Sequence, residues 1–155
     1  MNIIFFFMLF IFCSYVGFIW NKYGILPSIS DSYYRLPEND KILFTVFCWL
    51  FSFPAIILGS SPLMFLAGTG IIFVGTAPAF KEDLVGTVHR VGAIIGVSAS
   101  QLSIYFDYHM LYVNIIFISL SLIFLFFNKW IQNRTWWIEI VAFSSIVYAI
   151  AMNLF

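Results

Sequence analysis

Asp31, Asp83, His89 and Glu139 are the residues whose side chains could carry acid–base chemistry in this chain. An imidazole set beside carboxylates serves as a general base or a metal ligand, because its pKa lies near neutrality and the carboxylate favours its charged form. The commoner role of such a histidine is to pin one loop to another. Glu139 has the strongest claim to a specific partner. It interrupts the apolar run Trp136–Phe155, and a lone carboxylate below the headgroups is costly unless paired. His89 and Arg90 are its nearest expected partners. Metal chemistry finds little support: His89 and His109 are the only histidines, and Cys13 and Cys48 stand in separate apolar runs. Neither a zinc ligand set nor a disulfide framework follows from that spacing, and no metal or cofactor is expected.

The elements that must position these residues are set by composition. Of 155 residues, 63% are hydrophobic, 21% aromatic and only 9% charged, far from the roughly 25% charged of a soluble domain. A domain of this size would bury only about two-thirds of its surface, too little to hide so many Phe side chains from water. Lipid removes that difficulty. A helix needs about 20 mainly apolar residues to cross the hydrocarbon. The sequence predicts an all-α, polytopic transmembrane bundle of one domain with six spans: Asn2–Trp20, Ile42–Gly59, Pro62–Phe80, Thr87–Phe106, Met110–Phe127 and Trp136–Phe155. The first is read as a span rather than a signal peptide, since no Lys or Arg precedes it and no small-x-small cleavage site follows. Pro54 and Pro78 should each kink a span and free a carbonyl that a neighbour must satisfy.

Charge orients the spans. Lys22, Arg35, Lys41, Lys81, Arg90, Lys129 and Arg134 all fall at the first, third and fifth connections. With six spans these share one face, which the positive-inside rule makes cytoplasmic, so both termini face the other side. Trp20, Trp130, Trp136 and Trp137 fall at that face and are expected to anchor at the headgroups. A net charge of zero leaves no basic stripe for nucleic acid.

Small residues suggest how the spans pack. Gly68, Gly75 and Ala79 fall near one face of the third span. Gly92 and Gly96, continued by Ser100 and Ser103, give the fourth a GxxxG seam that would let two backbones approach closely. Gln101 and Asn114 are expected to hydrogen-bond between helices, and the span serines to bond back to carbonyls one turn earlier. In the first connection, Ser28 and Asp31 resemble a capping box, and Ile29, Tyr33 and Leu36 would share a face. Residues 23–38 are therefore expected to lie in the cytoplasmic interface plane.

Ser28-Ile29-Ser30-x-x-Tyr33-Tyr34 and Thr87-Val88-His89-Arg90-Val91-Gly92-Ala93 resemble segments of small polytopic membrane proteins of phages and their bacterial hosts. That resemblance runs from Tyr23 to about Asp107 and implies six helices in a bacterial inner membrane, with no activity attached. The same elements faintly resemble the alkaline ceramidase and adiponectin receptor superfamily, membrane hydrolases that hold zinc with three histidines. The paired HxxxH of that family is missing, and His89 and His109 fall at opposite faces.

The expectation is thus a non-enzymatic bundle binding a membrane lipid, another membrane protein or a second copy of itself. The alternative is an intramembrane lipid-modifying enzyme using Asp31, Asp83, His89 and Glu139. A transporter, channel or holin-like pore comes third, since no ionisable residue falls at mid-membrane.

Overall fold

Backbone polar groups in hydrocarbon must be satisfied within their own segment, so long apolar runs fold as helices. The computed structural model describes residues 1–38, 40–80, 82–126 and 133–155, with the side chains of Glu82 and Asp83 also outside it. Lys81, Lys129, Trp130 and the Asp83 side chain, singled out above, lie outside the described residues. Helices α1 (Asn2–Tyr23), α2 (Ser32–Arg35), α3 (Ile42–Gly59), α4 (Pro62–Thr76), α5 (Glu82–Phe106), α6 (Leu111–Phe126) and α7 (Arg134–Leu154) follow in order. A 3-10 turn, Ala77–Ala79, extends α4. No strand occurs among the described residues. Four segments are long and apolar enough to cross a membrane: α1, α3, α4 with its 3-10 extension, and α7. Helix α5 is longer but more polar, and α6 is shorter and apolar.

The tight α3–α4 connection is written in its residues. Ser60 takes the left-handed conformation that ends α3, and Ser61 caps α4 by accepting the Met64 N–H at 3.0 Å. Pro62 follows at the first helical position, where a missing N–H costs nothing. Pro78 ends α4 in the 3-10 turn rather than kinking it. The Gly75 carbonyl beside that turn is taken by the Thr45 hydroxyl of α3 at 2.7 Å.

Side-chain pairs fix the packing. Tyr15 stacks on Phe47 with centroids 4.3 Å apart, and Phe12, Phe51 and Phe143 cluster where α1, α3 and α7 meet. Phe5 meets Phe155 at one end of the α1–α7 pair and Trp20 meets Trp137 at the other, so these helices run antiparallel. Both termini therefore share one end of the bundle. Lys22, Arg35, Lys41, Arg90 and Arg134 gather at the opposite end.

Helices α4 and α5 cross at glycines. A Cβ added to Gly70 would lie 2.4 Å from the Gly96 nitrogen and 2.7 Å from the Gly92 carbonyl oxygen, backbone on backbone. The seam on α5 is thus the expected one, Gly92 and Gly96, with Ser100 buried one turn further on. Its counterpart on α4 is Gly70. Gly68 and Gly75 face α3 instead, against Ile56 and Cys48. Two residues change a helical bearing by about 200°, so Gly70 looks away from the face that Gly68 and Gly75 share.

Gln101 of α5 donates to the Ser145 hydroxyl of α7 at 2.9 Å, and Asn114 of α6 donates to the Gln101 carbonyl and side-chain oxygens at 2.9 and 3.1 Å. This polar knot ties three helices, as the sequence suggests. Ser100 and Ser145 bond back to Val97 and Ala142.

Candidate functional site: a strap and a cavity at the basic end

Gly24, with φ at +75°, turns the chain out of α1 into an irregular strap that runs to Leu36. The strap packs into the end of the bundle. Leu26, Ile29 and Leu36 are buried in the bundle, Ile29 at 1% exposure. The expected apolar face of Ile29, Tyr33 and Leu36 exists, but it packs on the helices instead of on lipid. Only half of the capping box forms: Ser28 accepts the Asp31 N–H at 2.9 Å, while Asp31 turns to Arg35 at 3.2 Å.

Burying irregular backbone is possible only where its polar groups find partners. Helix α7 supplies them at every third residue. The Asn133 side chain donates to the Ile25 carbonyl, the Trp136 N–H donates to the Pro27 carbonyl at 3.2 Å, and Glu139 Oε2 accepts the Ile29 N–H. Asn133, in the left-handed conformation, caps α7, and Trp136 and Glu139 follow within its first two turns. The Trp136 N–H, in the first turn of α7, is shared between the Pro27 carbonyl and the Asn133 carbonyl at 3.0 Å. The other side of Ile29 is closed from α1. Ser32 donates to the Ile29 carbonyl at 2.5 Å, so Tyr15, 2.6 Å from the Ser32 oxygen, is the donor in that contact. A relay thus runs Tyr15, Ser32, Ile29, Glu139.

This arrangement corrects two expectations. Trp136 is no headgroup anchor: it is 1% exposed, because it shares the inward face of Glu139. Trp20, at 53% exposure, and Trp137, packed edge-on to it and stacked on Phe124, remain at the surface of this end. Glu139 also does not pair with His89 or Arg90. Its partners are the Ile29 N–H and, at 3.4 Å, the Ser30 hydroxyl. Asp31, Asp40 and Glu38 instead take Arg35, Lys22 (3.7 Å) and Lys41 (2.5 Å). The hydrogen bond from Lys41 to Glu38 raises the lysine pKa above its ordinary value. His89 makes no hydrogen bond among the described residues. Asp31 and Glu139 come near one another and His89 bonds to neither among the described residues, while the Asp83 side chain is not described.

Above the strap lies a half-enclosed cavity of about 70 Å³ between α3, α4, α5 and α7. Ile29 and Ser30 floor it. Its walls are apolar, with Phe47, Val97, Phe143 and Ile146 among them, and Glu139 is the one charged residue among the described residues that lines it. Buried Cys48 also lines this space, whereas Cys13 is exposed on α1. Sequence reasoning set Asp31 of the strap beside Glu139 but did not single out Ile29, Ser30 or Cys48 as its companions. The spacing of Asn133, Trp136 and Glu139 was the available signal.

At the other end, Ser103 donates to Asp107 at 2.6 Å and lies 3.3 Å from the Ser61 hydroxyl. Burial and the Asp107 charge push the Tyr108 phenol up to about 12. These groups close the α5–α6 hairpin. No family model, curated protein or solved structure matches the chain.

Proposed function

We propose that this protein is a six-span membrane bundle that binds a lipid without transforming it, with the strap-floored cavity as the binding site. The observation that carries the reading is the cavity itself: apolar walls that suit hydrocarbon, and a single carboxylate with a serine at one end to orient a polar group. The hydrogen bonds of Glu139 run to the strap backbone and Ser30 rather than to a histidine, which favours binding over acid–base catalysis.

In this reading α5 and α6 cross the bilayer along with the four longer apolar segments. The basic end is cytoplasmic, both termini are not, and the membrane is a bacterial inner membrane. Gathering five basic residues at the end opposite the termini supports that orientation. Crosslinking to a membrane-protein partner or a second copy remains compatible with it, because the cavity lies inside one chain.

The test is lipid retention. Protein extracted in mild detergent should carry tightly held lipid detectable by native mass spectrometry. Ala142→Phe, which fills the cavity from α7, should remove that lipid while leaving the helical content intact. Equal lipid content in both proteins would end the proposal.

A further inference from the structure

The geometry points to a ligand class for this site: a chain amphiphile whose head donates hydrogen bonds and is not anionic, an alkyl amine being the best fit. The inference rests on the lipid-binding reading and deepens it. It starts from the acceptor capacity of Glu139. A carboxylate offers about four lone-pair positions. One is filled by the Ile29 N–H, and the Ser30 backbone N–H and hydroxyl, the latter at 3.4 Å, approach others, which leaves part of the capacity unused. The group lines the cavity, so spare acceptor capacity faces the space that a ligand would enter.

Charge points the same way. The three basic residues flanking and within the strap are engaged elsewhere: Lys22 with Asp40, Arg35 with Asp31 and Lys41 with Glu38. The donors that do reach Glu139 are neutral. A carboxylate held among apolar walls gains most from a donor that brings positive charge, less from a neutral hydroxyl, and repels an anion. The cavity of about 70 Å³ admits a few water molecules or a small head group, not a sugar or a phosphodiester. An amine fits that space, with its chain against the apolar walls that include Phe143, Ile146 and Val97.

Cys48 gives the experiment its reporter, because it lines the same cavity. The full chain carrying Cys13→Ser, in nanodiscs, is treated with methyl methanethiosulfonate, and the labelling rate of Cys48 is followed by mass spectrometry. Dodecylamine, dodecanol and dodecyl sulfonate are added at equal mole fraction in the bilayer. The amine should slow labelling by about tenfold, the alcohol less, and the sulfonate hardly at all. In Glu139→Gln the preference for the amine should disappear, each probe being compared with that variant's own rate without amphiphile. If that variant does not fold, the order among the probes in the unaltered site still decides. Equal protection by the sulfonate overturns the ligand class but keeps the lipid site. Protection by none of them overturns both.

Discussion

Glu139 Oε2 accepts the backbone N–H of Ile29, joining positions 110 residues apart. The carboxylate that seemed to need a cation is used as a backbone acceptor instead. That choice follows from what surrounds it. Ile29 is buried, so its N–H must find an acceptor inside the protein or forfeit a hydrogen bond of full strength. Glu139 is the acceptor that the inward face of α7 presents. One contact thereby holds the strap, floors the cavity and sets the polarity of its end.

Removing the acceptor should therefore cost more than removing a surface charge. Glu139→Ala leaves the Ile29 N–H without its partner and should destabilise the fold by about 1–3 kcal/mol. Glu139→Gln keeps a carbonyl oxygen and should cost less. Glu38→Gln, an exposed partner of Lys41, should stay within about 0.5 kcal/mol. Thermal unfolding of the three variants in one detergent gives the order. A Glu38 effect as large as the Glu139→Ala effect would contradict the strap's dependence on this carboxylate.

Glycine replacements should separate contact from composition. Gly70→Ala forces a methyl group into the α5 backbone, where neither chain can yield by a side-chain rotation, and should cost about 1–3 kcal/mol or more. At Gly96 the added carbon would meet Ile71 and backbone atoms at 3.3–3.5 Å, so alanine should be tolerated better and leucine should not. Gly17 on the outer side of α1 meets nothing within 4 Å, and Gly17→Ala should be neutral or slightly stabilising through helix propensity. Equal melting temperatures for the Gly70 and Gly17 variants would refute the crossing described here.

The Gln101 knot should behave as a unit. Gln101→Ala removes the donor to Ser145 and the side-chain acceptor of Asn114, while Asn114→Ala removes that side-chain contact and the bond to the Gln101 carbonyl. Interhelical hydrogen bonds in membranes average about 0.6 kcal/mol, so each single loss should be modest. Their sum should exceed the double mutant, since both remove the Asn114–Gln101 contact. Strict additivity in a double-mutant cycle would mean the contact contributes nothing.

Much of the helical framework was legible because it depends on length and hydropathy alone. Ile42–Gly59 matches α3 at both ends, and Pro62 marks the start of α4, since a proline and a capping serine have few other readings. Gln101 and Asn114 were legible because a polar amide in hydrocarbon has few options besides a neighbouring helix. Glycine partners were not, because periodicity shows which residues share a face but not which helix that face meets: Gly68 and Gly75 look toward α3, and Gly70 toward α5. Trp136 and Trp137 read alike as interface residues, yet adjacent positions on a helix point about 100° apart, and only one could face outward. The strap escaped for a different reason. Its bonds to α7 use the carbonyls of Ile25 and Pro27 and the N–H of Ile29, groups that every such residue carries and no sequence pattern marks.

The orientation of the bundle is the last expectation to argue, and the strap changes how it must be tested. A cysteine at Ser32 would be a natural probe of the first connection, but Ser32 is buried under Tyr15 and would stay silent from either side. Tyr34, 62% exposed on the neighbouring turn of α2, is the better position. In a background of Cys13→Ser and Cys48→Ala, single cysteines replace Asn2, Tyr34 and Arg134. A membrane-impermeant maleimide added to intact cells should label Asn2→Cys, and should reach Tyr34→Cys and Arg134→Cys only after the membrane is opened. The reason is the positive-inside rule acting on five described basic residues at one end, with both termini at the other. Labelling of Tyr34→Cys and Arg134→Cys in intact cells would invert the protein. Labelling of Asn2→Cys from the same side as Tyr34→Cys would instead break the count of crossings, because α1 would no longer separate them.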